Sequence, residues 1–124
     1  MTNILLIDDD AALQTMYSTV LGSAGHNITV ASNGQEGLEL LDQNPIDLVL
    51  LDVNMPVMDG FGFLETYDRK KHGGIKIIML TNSSDIPLIN RAIALGASNY
   101  IDKANVTPAE MKQIVDGVLN SSAA

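Results

Sequence analysis

A chain of 124 residues, 46% hydrophobic and without cysteine, suits one domain with one core and excludes a disulfide framework or a thiolate metal site. Its net charge of −8 argues against DNA, RNA or an anionic membrane as the direct partner. No apolar run reaches membrane-spanning length, and Met1-Thr2-Asn3 lacks the basic start of a signal peptide, so cytoplasmic residence is expected.

Ile4-Leu5-Leu6-Ile7 reads as a buried strand that stops at Asp8-Asp9-Asp10. Asp9 or Asp10 is placed to cap a helix with Leu13, Met16, Tyr17, Val20 and Ala24 at spacings of three and four, closed by Gly25. Asn27 to Ala31 alternates polar and apolar, as a less covered edge strand does. Asn33 and Glu36 resemble a capping box for a helix with Leu38 and Leu41 on its apolar side, ended by Asn44-Pro45.

Leu48 to Leu51 is a third strand, apolar on both faces, that runs into Asp52. Met58-Asp59-Gly60 turns into a helix carrying Phe63, Leu64 and Tyr67. Arg69, Lys70, Lys71 and His72 are expected in its last turn, before Gly73-Gly74. Ile75 to Leu80 is the fourth strand, ending at Thr81. Ser84 or Asp85 caps the next helix, with Pro87 in its first turn, Leu88, Ile89, Ala92 and Ile93 inward, and Gly96 at its end. Ser98 to Ile101 is a brief fifth strand. Thr107-Pro108-Ala109-Glu110 starts a last helix with a buried stripe of Met111, Ile114, Val115, Val118 and Leu119.

Strands that alternate with helices imply an α/β fold: a parallel sheet with helices on both faces. With the alternating second strand at one edge and the weak fifth at the other, the order is 2-1-3-4-5, a flavodoxin-like, doubly wound layout. Residues just past the strand ends then share one edge: Asp8 and Asp9, Asp52, Thr81 and Lys103. Neighbouring strands lie about 4.8 Å apart, which brings Asp8 and Asp9 within reach of Asp52. Two like charges at 4 Å repel by roughly 4 kcal/mol at a dielectric of about 20. One lysine does not offset three carboxylates. A hard, largely hydrated Mg²⁺ does. Asp9, Asp52 and the main-chain carbonyl of Asn54 are the expected ligands, with Asp8 acting through water. A carboxylate in that setting can attack phosphorus and hold an aspartyl phosphate, with Lys103 and Thr81 on the phosphoryl oxygens.

Ile7-Asp8-Asp9, Asp52 with Met55-Pro56 and Met58-Asp59-Gly60, Thr81, and Tyr100 three residues before Lys103 together resemble a response-regulator receiver domain. The match covers nearly the whole chain, residues 1–120, and leaves 121–124 as a flexible tail. The resemblance implies that Asp52 accepts a phosphoryl group from a histidine kinase or phosphotransfer protein, and that Thr81 and Tyr100 switch. It implies an output face made by the fourth helix, fifth strand and fifth helix, and an unknown downstream protein. The domain is expected to phosphorylate and dephosphorylate itself rather than turn over substrate as an enzyme. A monomer or weak homodimer is expected, with no effector domain of its own.

Two residues depart from the family's pattern. Asn82 stands after Thr81 where a small residue is usual, and Ala104 follows Lys103 where proline is usual. A cis bond before a non-proline costs about 2.5–4 kcal/mol, so a trans bond and a remodelled loop are expected. These departures motivate a rival reading, a degenerate receiver that acts as a docking module without phosphorylation. A haloacid-dehalogenase-like phosphatase would need a second aspartate where Asn54 stands. A flavodoxin-like carrier would need a phosphate cradle where Asp8-Asp9-Asp10 repel one. Asp10 reads as a cap only. His26 and His72 read as exposed helix-end residues, and Met55, Met58 and Met79 as core filling.

Overall fold

Each apolar run becomes a strand because it has nowhere else to put its side chains. In the computed structural model, which describes residues 2–68, 70–82 and 86–121, β1 (Asn3–Ile7), β2 (Asn27–Ala31), β3 (Leu48–Asp52), β4 (Lys76–Thr81) and β5 (Asn99–Asp102) form one sheet. All neighbours pair in parallel and the order is β2-β1-β3-β4-β5. Every residue of β3 is buried, as a central parallel strand requires, whereas the edge strand β2 is only partly covered.

The helices are α1 (Ala11–Ser23), α2 (Gly34–Gln43), α3 (Gly60–Thr66), α4 (Ile86–Ala94) and α5 (Pro108–Ser121). Period-2 alternation divides the core between the two sheet faces. Ile4, Leu6, Leu48, Leu50, Ile78 and Leu80 pack with Leu13, Tyr17 and Leu21 of α1 and Met111, Val115 and Val118 of α5. Leu5, Ile7, Val49, Leu51, Ile77 and Met79 pack with Leu41, Phe61, Phe63, Leu64 and Ala92 on the face covered by α2, α3 and α4.

Caps explain where the helices start. Asp10, not Asp9, caps α1 by accepting from the N–H groups of Ala12 and Leu13. Asn33 accepts from the Glu36 N–H, but Glu36 reaches back to the Ser32 N–H, one residue earlier than a capping box requires. Thr107 and Glu110 form the full reciprocal box at 3.0 and 3.1 Å. The expected cap at Ser84 or Asp85 lies outside the described residues.

Several expectations of facing were wrong by part of a turn. Met16 is 44% exposed and Ala24 lies beyond the helix, while Leu21 holds the buried place on α1. Ile93 is 50% exposed, while the other residues expected inward on α4 hold: Ile89 and Ala92 are buried and Leu88 packs partly buried against the core. The helix after Asp59 stops at Thr66, with Tyr67 already extended, so Lys70, Lys71 and His72 do not form its last turn. Arg69 lies outside the described residues. Lys71 and His72 pair with Asp42 at the end of α2, at 3.1 and 2.9 Å. His72, and likewise His26 against Asp116 at 3.3 Å, is mostly covered rather than exposed. The His72 and Lys71 bonds hold the Asp42 carboxyl below its usual range. At the other end, α5 continues through Ser121.

Among the described residues, one non-glycine backbone position lies in the left-handed region. Val57 has φ +68° and a side chain 83% exposed. A β-branched residue in the left-handed region is a steric outlier, and here no burial compensates. Val57→Asn is therefore expected to raise unfolding stability by about 0.5–1 kcal/mol, read as a shift of the urea midpoint at constant slope. A lower midpoint would mean that the exposed valine makes contacts this loop does not show.

Candidate functional site

Parallel strands deliver all their C-terminal ends to one edge of the sheet, and the register there decides which side chains meet. Leu6, Leu50 and Leu80 share the face under α1 and α5. Two residues further along that same alternation lie Asp8, Asp52 and Asn82. Lys103 follows Ile101 of the same layer by the same step. These four line one cleft together with Asp9 and Asn54.

Lys103 Nζ lies 3.0 Å from Asp8 Oδ2 and 3.1 Å from Asp52 Oδ1. Asp8 is fully buried and Asp52 is 3% exposed. Asp8 is held from behind as well: its Oδ1 accepts from the Asp10 N–H at 2.9 Å, and Gln14 Nε2 donates to its carbonyl. Close contact also fixes the loop after Asp52. The Gly60 N–H donates to the Val53 carbonyl at 2.9 Å, and a Cβ on Gly60 would stand 2.4 Å from the Asp52 carbonyl oxygen. Glycine is required there by the approach of the two backbones.

Burial raises the Asp52 pKa from 3.8 to about 6; the Asp8 charge adds to this, the Lys103 charge and hydrogen bond oppose it, and Asp9 adds a little more. Burial works against the Lys103 charge, but its bonds to Asp8 and Asp52 outweigh that and hold the ammonium above the usual lysine range. Tyr17, buried on α1, is pushed up by burial, with the Lys103 charge opposing and the Asp8 charge adding.

Carboxylate oxygens of Asp8, Asp9 and Asp52 lie within 4.8 Å of one another. Three negative groups face one ammonium, and every protein donor in the set is oxygen. That chemistry fits a hard divalent cation such as Mg²⁺ and does not fit a soft one. The cleft of about 350 Å³ leaves space for roughly ten waters, so a cation that keeps most of its hydration fits as well.

The structure thus brings Asp8, Asp9, Asp52, Asn54 and Lys103 together. Thr81 is set apart. It is buried, and its hydroxyl is 3.5 Å from the Ile101 carbonyl, facing β5. Its neighbour Asn82 lines the cleft instead. Tyr100 is 38% exposed on the edge strand β5. Lys103 reaches the carboxylates without a proline after it, and no cis peptide bond occurs among the described residues. Gln14 went unnoticed in the sequence because nothing local to α1 shows that its side chain folds back on Asp8.

Over residues 4–116 the sequence matches the family model described as response regulator receiver domain. The chain belongs to that family. Receiver relatives differ in length. A probable chemotaxis protein CheY of Rhizobium etli is 34% identical over 122 residues, covering 95% of this chain and 92% of its own. A probable transcriptional regulator, ycf27 of Guillardia theta, is 34% identical over 94% of this chain, which spans only 44% of that relative's length. Among solved receivers, a CheY-like protein from Methanospirillum hungatei matches with TM-score 0.90 at 28% identity over 99% of this chain and 97% of that one. CheY4 of Vibrio cholerae matches with TM-score 0.88 at 28% identity over 95% and 98%. The receiver assignment displaces the phosphatase and flavodoxin readings. In this receiver, three acidic residues stand where a flavin phosphate would need donors.

Proposed function

We propose that this receiver takes a phosphoryl group onto Asp52 from a phosphorylated histidine of a kinase or phosphotransfer protein and passes the change to a downstream protein. The observation that carries the reading is the Lys103 ammonium shared between Asp8 and Asp52, with Asp9 completing the acidic cluster. At pH 7 a carboxyl with a pKa of about 6 is mostly ionised, so Asp52 is available as a nucleophile. One of its oxygens forms a bond to phosphorus as the phosphorus–nitrogen bond to the donor imidazole breaks, and the electron pair leaves with that nitrogen. Lys103 moves from pairing carboxylates to pairing a phosphoryl oxygen.

Asp9, Asp52 and the Asn54 carbonyl would hold Mg²⁺, with Asp8 acting through water, and the bound cation would supply neutralising charge as the phosphoryl group arrives. Hydrolysis of the aspartyl phosphate by water returns the domain to its starting state, so it behaves as a self-resetting switch rather than a turnover enzyme. In this reading Thr81 leaves the Ile101 carbonyl for the phosphoryl group, and Tyr100 turns inward from its half-exposed position. The face of α4, β5 and α5 then changes for its partner. Cytoplasmic residence and a monomer or weak homodimer belong to the same reading. Among the described residues, no helix is long and apolar enough to cross a membrane. The docking-only alternative loses its support from Ala104, since Lys103 arrives at the site regardless.

The test is incubation with a small acyl phosphate and Mg²⁺, followed by intact mass. Wild type should gain one phosphoryl group and Asp52→Asn none. An unmodified wild type, or a variant that gains the mass equally, would defeat the proposal. Mg²⁺ affinity should fall more for Asp9→Ala than for Asp10→Ala, because Asp10 is committed to the α1 cap.

A further inference from the structure

Lys103 has a long, flexible stem with a large rotamer entropy. It must nevertheless meet Asp8, just past the end of β1, and Asp52, at the end of β3. Something has to aim it. A proline after the lysine would leave position 104 without an N–H. In this chain Ala104 keeps that N–H, and it donates to Asp102 Oδ1 at 3.0 Å. The other carboxylate oxygen of Asp102 accepts from Asn105 Nδ2 at 2.8 Å. The Asn105 N–H donates to the Asp102 carbonyl at 3.1 Å, and the Lys103 N–H donates to the Thr81 carbonyl at 2.7 Å. Asp102 is itself only 9% exposed. One carboxylate therefore closes the turn on both residues that follow Lys103, while the strand ladder pins the residue itself.

We propose that Asp102 is the positioning residue for Lys103 in this receiver. Its bonds to Ala104 and Asn105 replace the rigidity that a proline would give and hold the lysine stem pointing across the cleft. This inference rests on the phosphoryl-acceptor reading of the site for its kinetic consequence, but not for its structural one. Asp102 touches neither Asp8 nor Asp52 through any described hydrogen bond. Its described side-chain bonds reach Ala104 and Asn105, the two residues after Lys103, so its effect on phosphoryl uptake is expected to pass through Lys103.

The experiment compares Asp102→Ala and Asp102→Asn, each alone and in a Lys103→Met background. Phosphoryl uptake from an acyl phosphate should slow by about tenfold in Asp102→Ala, because a misaimed group loses much of its effect. Asparagine keeps an oxygen acceptor for the Ala104 N–H, and its NH2 can donate to Asn105 once that amide turns over to present its oxygen, so Asp102→Asn should stay within about twofold of wild type. In the Lys103→Met background, Asp102→Ala should have no further effect, which a general loss of structure would not produce. Amide exchange at Ala104 should quicken in the alanine variant and not in the asparagine variant. Mg²⁺ affinity should rise in Asp102→Ala, because a loosened ammonium competes less for the carboxylates. Equal uptake by Asp102→Ala and wild type would overturn the proposal, as would the same loss with and without Lys103. If wild type takes up no phosphoryl group, the functional reading fails by itself, and amide exchange and Mg²⁺ affinity still decide the role of Asp102. Should Asp102→Ala not fold, Asn105→Ala removes one of the two bonds and should show the same pattern at smaller size.

Discussion

Asp52→Asn is expected to abolish phosphoryl uptake and, with divalent cations chelated, to make the domain more stable at pH 7 by up to about 3 kcal/mol. The loss follows from removing the nucleophile. The gain follows from the price of keeping that nucleophile charged. The Asp52 pKa is raised from 3.8 to about 6, chiefly by burial and then by the Asp8 charge. The folded state therefore binds the proton more tightly than the unfolded chain does. Through the window between 3.8 and about 6 the unfolded chain has released its proton while the folded domain still holds it. Stability due to this group falls as pH rises through that window and stays low above it. The advantage of Asp52→Asn should thus be full at pH 7 and vanish below about pH 4. Urea unfolding of both proteins at several pH values, with chelator present, reads it directly. Added Mg²⁺ should raise the wild-type midpoint and do much less for the variant. A variant less stable than wild type at pH 7 would show that Asp52 is stabilised by its setting rather than strained by it.

Lys103→Met should move catalysis and cation binding in opposite directions. Methionine keeps much of the stem's volume and removes the charge. Phosphoryl uptake should fall by about a hundredfold, the usual cost of one lost donor to a developing oxyanion. Mg²⁺ affinity should rise by about tenfold or more, because the cation no longer contends with an ammonium for the same carboxylates. Without Mg²⁺ the variant should be less stable than wild type by about 3–5 kcal/mol, since Asp8 and Asp52 are then buried without their counter-charge. Calorimetric titration with Mg²⁺ and thermal unfolding in chelator check the two halves. Weaker Mg²⁺ binding in the variant would mean that lysine and cation do not compete for one seat.

The sheet could be read from the chain because its signals are local. Leu48 to Leu51 is apolar on both faces, β2 alternates, and these two patterns suffice to rank a central and an edge strand. The acidic ends of β1 and β3 then meet by topology alone, which is why Asp8, Asp9 and Asp52 were visible before any coordinates. Helix facing was less legible. Spacings of three and four fit both the Met16 and the Leu21 side of α1, and only packing against β1 and β3 selects Leu21. Pairings across long separations were invisible. His72 with Asp42 and His26 with Asp116 depend on elements brought together by the fold. Nothing in the sequence points to Asp102, because its partners, Ala104 and Asn105, carry no motif.

The register of β3 has one more consequence. Asp52 stands under α1 only because an odd-even count runs unbroken from Leu48. Deleting a single leucine upstream would leave the net charge untouched, yet would swing the carboxylate to the opposite side of the sheet, among Phe61, Phe63 and Met79. There its described core neighbours are apolar. Length in this segment is therefore guarded more strictly than identity: Leu50→Ile should be tolerated, while the frame that counts residues to the aspartate should not tolerate a change of one.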